Sequence, residues 1–422
     1  MKVVVLADTD SRSRWGLLTA RQLFPSAVPV GVLLASPPGS AQQRPADPAE
    51  GRRPTLVASI PEFVVSKDLD ATDVIVLALP GAGVQAVLHG LARRWTTSGR
   101  RPLVISGYVG VVYDKHVEGL LMRSGSDVIL ANGPADAESF RAMLAGAGGD
   151  PSVVLPTVLP FLGTAGAARP PGEPFTVTFA TQPAVPGPRV DREFLVRRLI
   201  RHAVLHPERE VLLKVRTGEH AAPEDHPYPL LGRHASVEKP ANLHVVHRSM
   251  GEVLGRTDLL VTVSSTAAVE AMHRGIPTAI LTDLGIKERL GNHYFLGSGC
   301  LASFTDLDAG VAPRVDAEWA RAHGIGPGDA AERAREHVAG LAAADVRPPL
   351  RPGYTMDNAA GLLPELLGRY GLSAYGRALE TDDDQPGDLA LAVRSVVARA
   401  ARAAYRQGVY TVAPTLRRLA RL

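Results

Sequence analysis

The feature that most constrains this chain is a repeated pairing of a short, continuous apolar run with a helical stretch. Apolar runs occupy residues 2–7 (KVVVLA), 28–34, 73–79, 102–106 and 127–131. Each is continuous rather than alternating, as in a strand covered on both faces of a parallel sheet. Helical segments at 15–23, 85–94 and 135–144 lie between them, an order that argues for a Rossmann-like sheet. Residues 37–54, rich in Pro, Gly, Gln and Ala, read as a surface loop.

The pattern pauses at 163–174 (GTAGAARPPGEP), the best linker candidate, and then restarts. Strands are expected at 175–180, 210–215, 243–246, 258–263 and 278–281, with helices at 192–206, 250–255 and 267–274. The expectation is therefore an α/β fold with two Rossmann-like domains, residues 1–165 and 175–345, and a helical C-terminal extension at 346–422. A length of 422 residues suits two or three domains.

Composition narrows the class. The chain is 45% hydrophobic and 21% charged, as soluble globular proteins are. No apolar run reaches the roughly 18–20 residues of a membrane span, and acids directly after the first run argue against a signal peptide. The single Cys300 excludes an intramolecular disulfide and a thiolate cluster, so the expected compartment is cytoplasmic. Six Lys against 40 Arg, with four Asn, suggest a GC-rich codon bias, so the net charge of +3 is no argument for nucleic acid. An aromatic content of 5% leaves few platforms for stacking bases, and no nucleic-acid partner is expected.

The most informative segment is 258–281, DLLVTVSSTAAVEAMHRGIPTAIL. A buried strand runs into Ser264, Ser265 and Thr266, then a helix that stops at Gly275 with Pro277 beyond. Hydroxyls and unpaired N–H groups at such a helix start favour a phosphate. Glu270, one turn on, suits ribose hydroxyls; plain N-capping with Glu270 as a dipole partner is the alternative. The segment SSTAAVEAMHRGIPTAIL resembles the donor half of GT-B glycosyltransferases. Sialyl- and polysialyltransferase-like enzymes place such a Ser-Ser/Thr pair on the phosphate of a CMP-activated sugar. UDP-GlcNAc 2-epimerases and CDP-glycerol glycerophosphotransferases are similar in layout. The resemblance implies Ser264, Ser265 and Thr266 as phosphate ligands and Glu270 as a ribose or sugar ligand.

A second match to the same enzymes is 210–219, EVLLKVRTGE. Its strand delivers Lys214 and Arg216 toward a leaving phosphate, with Glu219 close behind, or else these are ordinary solvent-facing strand ends. His226-Pro227 stands 12 residues after Lys214 rather than directly after it, a departure from the family's His-Pro pair. The Gly-rich turn at 291–300 brings Asn292 to the donor side, unless it is only a loop.

In the N-terminal half, Asp8 or Asp10, just after the first strand, would face the ligand cleft of a doubly wound sheet. Either could deprotonate an acceptor hydroxyl, while Arg12 and Arg14 hold an anionic acceptor. Turn-capping acids are the alternative. Gly107 and Gly110 (GYVG) resemble a GT-B acceptor turn. The rival signal is Gly81-x-Gly83-x-x-Ala86, a dinucleotide-like turn, but no acid follows about 20 residues on. Nine of 13 His lie between His202 and His293; His202 and His206 could pair on a helix, yet neither is expected to have a carboxylate ligand beside it, so no metal is expected.

The tail carries acids at Glu380 and Asp382–Asp384, then seven Arg and no acid after Asp388. Arg394, Arg399, Arg402 and Arg406 form one basic helix face, which suits either solvent or the anionic inner face of a membrane. The resulting expectation is a metal-independent, cofactor-free glycosyltransferase. It would bind a nucleotide-sugar donor, CMP-linked acidic sugars slightly ahead of UDP or GDP, and a glycan or lipid-linked acceptor. The alternatives are a UDP-sugar 2-epimerase or a non-catalytic nucleotide-binding scaffold.

Overall fold

Both series of apolar runs form parallel sheets in the computed structural model, which describes residues 1–35, 56–97, 99–111, 116–162, 172–182, 184–215, 239–326 and 328–379. The first sheet comprises β1 (Val3–Ala7), β2 (Val30–Leu34), β3 (Leu56–Ala58), β4 (Val74–Ala78), β5 (Leu103–Gly107), β6 (Val128–Ala131) and β7 (Val154–Pro156). The second comprises β8 (Thr176–Ala180), β9 (Glu210–Lys214), β10 (Leu243–Val246), β11 (Leu259–Thr262), β12 (Thr278–Leu281) and β13 (Leu301–Ala302). Their orders are β3-β2-β1-β4-β5-β6-β7 and β10-β9-β8-β11-β12-β13. All pairings are parallel. Thus the expected α/β class with two Rossmann-like sheets is what the chain forms. The edge strands β3, β7 and β13, of two or three residues, were not foreseen because so short a run carries no period.

Helices cover the faces: α1 (Asp10–Leu23), α2 (Ile60–Val65), α3 (Gly81–Arg94), α4 (His116–Leu121) and α5 (Pro134–Gly146) follow strands of the first sheet. They are joined by α6 (Arg189–Leu205), α7 (Met250–Leu254), α8 (Ala267–His273), α9 (Phe304–Asp308) and α10 (Ala317–Ala322) around the second. The last three are α11 (Ala330–Ala342), α12 (Met356–Ala359) and α13 (Leu363–Gly368). Continuous burial of β1, β4 and β5 is the two-sided coverage that their unbroken apolar runs require.

After α10 the chain returns to the first sheet. Ala334 and Val338 of α11 share a core with Val5, Trp15 and Val76, and Arg335 Nε donates to the Gln22 carbonyl at 3.0 Å. Leu350, Leu363 and Leu367 then join Leu77, Val84 and Leu88 on the opposite face. Arg347 ties this return down: it donates to the Arg101 carbonyl (2.7 Å) and to the C-terminal carbonyls of α11 at Leu341 and Ala342 (both 2.8 Å). The boundary at 345 assigned α11 to the second half; its apolar stripe instead covers the first sheet. A helical period tells which side of a helix is apolar, not which sheet that side meets. The chain divides after Ala378, and the acidic cluster and basic helix expected beyond residue 379 lie outside the described residues, as does the 37–54 loop.

The end of β6 meets the end of α10 backbone to backbone. Gly324 has φ +69°, and a Cβ there would stand 2.4 Å from the Asn132 carbonyl oxygen. Gly324→Ala should therefore cost about 1–3 kcal/mol in urea unfolding. Gly328→Ala, where a Cβ meets nothing within 4 Å, should stay within about 0.5 kcal/mol. Equal effects would show that this contact does not constrain the fold.

Candidate functional site

In open parallel sheets ligands bind outside the carboxyl ends of the strands, where the strand order reverses. The second sheet reverses between β8 and β11, so Thr181–Gln182 and 263–266 edge the crevice. Gln182 fills its floor: its Oε1 accepts from the Ser264 N–H (2.9 Å), and its Nε2 donates to Ser264 Oγ (3.2 Å). Ser264 is buried and its hydroxyl donates to the Leu290 carbonyl at 2.5 Å. The Ser264 hydroxyl thus faces inward, bracing the loop after β12 rather than the crevice.

Ser265 and Thr266 are the partly exposed pair. Ser265 Oγ accepts from the Ala267 N–H (3.2 Å), and Thr266, at the start of α8, makes no side-chain cap bond. Glu270 follows one turn on, with Arg274 Nη2 at 2.6 Å. Burial pushes the Glu270 carboxyl above its usual range, outweighing the opposing pull of Arg274 and of Arg14. Arg14 belongs to α1 on the first sheet, so its charge reaches across to Glu270. Gly110, after β5, lies equally close: a Cβ on it would sit 3.1 Å from Thr266 Oγ1. The carboxyl edges of the two sheets therefore face one another at Gly110–Thr266 and Arg14–Glu270.

Two further donor-side expectations turn inward. Lys214 is buried at the end of β9 and its ammonium donates to the Val215 carbonyl at 2.8 Å. Asn292 is buried, its Nδ2 donating to the Leu281 (3.1 Å) and Gly285 (2.9 Å) carbonyls while Oδ1 accepts from the Lys287 N–H (3.0 Å). It knots the loop after β12. Arg216, Glu219 and His226 lie outside the described residues.

At the first sheet the order reverses between β1 and β4. Asp8, half-buried after β1, receives both hydrogen bonds of one Arg12 guanidinium nitrogen at 2.8 and 2.9 Å. Asp10 is exposed in the first turn of α1, without an ion pair or side-chain hydrogen bond among the described residues. Gly107 is buried under Trp15, where a Cβ would come within 3.1 Å of the indole ring, and serves packing. Three residues here escaped the sequence reading. Arg123 is 5% exposed and donates to the carbonyls of Gly107 (2.9 Å), Gly119 (2.7 Å) and Leu79 (3.3 Å). Tyr108 lies under its guanidinium, 4.0 Å from ring centroid to Cζ. Tyr370, from the returning segment, puts its hydroxyl 3.4 Å from where a Gly83 Cβ would be.

The histidine expectation needs a correction. His202, His206 and Asp308 place one ligand atom each within 4.8 Å of one another, so a carboxylate is present, brought from α9. His202 Nδ1 lies 2.8 Å from Asp308 Oδ1, while Arg198 stands 3.5 Å from Asp308 and Arg209 3.5 Å from His202 Nε2. Arg198 against Asp308 and Arg209 against His202 make this a polar network that joins α6 to α9. Burial lowers the His202 pKa, against the pull of Asp308.

A family profile described as "Putative glycosyltransferase (DUF6716)" matches residues 3–341. The chain belongs to that family. Among solved structures, the Staphylococcus aureus MnaA–UDP co-structure is 14% identical, covers 81% of this chain and 96% of its own, and superposes with a TM-score of 0.51. UDP-GlcNAc 2-epimerase from Neisseria meningitidis bound to UDP-GlcNAc is 12% identical over 81% and 100% of the two chains (TM-score 0.49). Acinetobacter baumannii MurG is 13% identical over 80% and 99% (TM-score 0.44). No curated protein matches the sequence. The two-sheet architecture is thus GT-B-like, as the donor-half resemblance implied.

Two measurements follow from this geometry. Asn292→Ala orphans three backbone groups and should cost about 1–3 kcal/mol or more in urea unfolding; a cost below 0.5 would mean that the knot is dispensable. Because the folded Glu270 pKa is raised, wild type has its full Glu270 contribution below the ordinary glutamate value of 4.5 and loses it as pH rises through the folded pKa. The stability of wild type relative to Glu270→Gln should therefore fall between acid and neutral pH; a flat or rising difference would contradict the burial argument.

Proposed function

We propose that the chain transfers a sugar from a nucleotide-sugar to a hydroxyl acceptor, without a metal. The facing pairs Gly110–Thr266 and Arg14–Glu270 carry this reading, because they bring a phosphate-friendly helix start and the half-buried Glu270 carboxylate, held by Arg274, to one crevice. The second sheet is the donor side, with Ser265, Thr266 and the N–H groups of α8 on the phosphates and Glu270 accepting from ribose hydroxyls. The first sheet, including the returning residues 330–372, is the acceptor side. UDP in the S. aureus MnaA co-structure supports a UDP-sugar ahead of a CMP-linked acidic one.

In the proposed reaction the acceptor oxygen bonds to the anomeric carbon while the bond from that carbon to the phosphate oxygen breaks. Asp10 takes the acceptor proton, and the nucleotide leaves with the bonding pair. Arg14 and the start of α8 offset the charge that develops on the leaving phosphate, a task fixed positive groups perform without reorganising. Asp8 acts through Arg12, which it holds in place.

The test pairs binding with turnover. UDP should raise the melting midpoint more than CMP or GDP, and Thr266→Ala with Ser265→Ala should weaken UDP about tenfold, the value of one or two neutral hydrogen bonds. Asp10→Asn should slow acceptor-dependent UDP release at least about a hundredfold while leaving UDP affinity intact. Wild-type turnover in Asp10→Asn would remove the base assignment. UDP consumption that needs no acceptor would favour a 2-epimerase-like enzyme instead.

A further inference from the structure

We propose that His202, His206 and Asp308 bind one divalent transition-metal ion of the zinc class, which ties α6 to α9. The site lies apart from the crevice, and the proposal does not depend on the glycosyltransferase reading.

The position follows from the parallel topology. Helix α6 leaves the carboxyl end of β8 and runs back along the sheet. Its end is fixed at the amino edge by Asn242, just before β10, whose Nδ2 donates to the Ala203 and His206 carbonyls at 3.0 and 3.1 Å. His202 and His206 stand four residues apart there and so share one helix face, with ring centroids 4.6 Å apart. Asp308, the last residue of α9, meets that face. One nitrogen of each imidazole and one Asp308 oxygen lie within 4.8 Å of one another, the single group of this kind among the described residues. Zinc bonds of about 2.0–2.1 Å in a tetrahedral set put neighbouring ligand atoms about 3.3 Å apart, so small side-chain rotations close the set.

Donor type and charge agree with such an ion. His202 is 0% exposed, with Nδ1 2.8 Å from Asp308 Oδ1, and His206 Nε2 lies 3.2 Å from the Asp308 carbonyl. The two neighbouring guanidiniums approach from outside the group. Arg198 stands 3.5 Å from the other Asp308 oxygen and also pairs with Asp283 at 3.7 Å. Arg209 stands 3.5 Å from His202 Nε2 and pairs with Glu208 at 3.4 Å. Three carboxylates against two guanidiniums leave the group net negative with both imidazoles neutral, so a divalent cation meets no net repulsion. Two imidazoles and one carboxylate suit Zn²⁺, Ni²⁺ or Cu²⁺, whereas Mg²⁺ prefers oxygen ligands and its own water. Because the ligands come from two helices, an ion bound there opposes their separation.

The full-length protein, stripped with EDTA, is titrated with zinc chloride by calorimetry, and its melting midpoint is followed with zinc and with magnesium. The wild-type midpoint should rise with zinc and not with magnesium. His206→Gln, at a partly exposed position, should keep a metal-free midpoint near wild type, weaken zinc at least about tenfold and lose the zinc-dependent rise. Asp308→Asn should weaken zinc to the same degree, and His247→Gln, at an exposed histidine, should bind zinc as wild type does. A wild-type midpoint indifferent to zinc, or an equal rise with magnesium, would overturn the proposal. So would His206→Gln binding zinc as tightly as wild type, since the ion would then sit on other groups.

Discussion

Every strand pairing in both sheets is parallel, and the rest of the molecule follows from that. A parallel pair needs a crossover, so a helix begins after almost every strand at the same edge. That edge therefore collects strand-end carbonyls and helix-start N–H groups together. The carbonyls demand N–H or O–H donors, which Arg123 supplies by bonding the ends of β4 and β5 at Leu79 and Gly107. The N–H groups demand acceptors, which Thr9 and Ser265 supply in part. What neither satisfies is left for a ligand.

The same constraint explains why the chain goes back to the first sheet. A parallel sheet must be covered on both faces, and seven strands need more cover than five connecting helices provide. The return through α11 and α13 supplies it, with Val338 on one face and Leu363 and Leu367 on the other. Arg347 and Arg101 are the polar counterpart: each buries a guanidinium and each is repaid by carbonyls or by Asp127 at 2.7 Å. Tyr370 reaches the first crevice only because this segment comes home. Cover and site are thus made by one stretch of chain.

The strands were legible because double burial leaves an unbroken apolar run, and β1, β4, β5, β6 and β8 to β12 fall where those runs do. Crevice edges were legible for a related reason, since polar residues resume where burial stops, at Asp8 and at Ser264. The direction in which each side chain turns was not. Ser264, Lys214 and Asn292 carry the chemistry of a phosphate site in their side chains, yet each is spent on a carbonyl of the fold. For Ser264 and Asn292 the deciding neighbours lie 26 and 11 residues away, which no local spacing records. Gln182, Arg123 and Tyr370 were missed for the converse reason: each gains its role from partners in other elements. Arg123 alone stands next to a legible element, opening the segment 123–131 (RSGSDVILA) that ends in β6.

Between Ser264 and Ser265 the division of labour is one of physics rather than residue type. A hydroxyl that braces a loop must be dry, because water competes for the same carbonyl; Ser264 is dry, with Gln182 and Leu290 around it. A hydroxyl that meets a substrate must be wet before the substrate arrives, and Ser265 and Thr266 are partly exposed. Placing both kinds side by side lets the rigid residue set the position of the partly exposed pair. Arg12 and Arg14 divide in the same way on α1: Arg12 is held by Asp8 on the first sheet's side, while Arg14 directs its field at Glu270 on the second. One helical turn thereby addresses both crevices, and the closeness of Gly110 to Thr266 is what makes that reach short enough to matter.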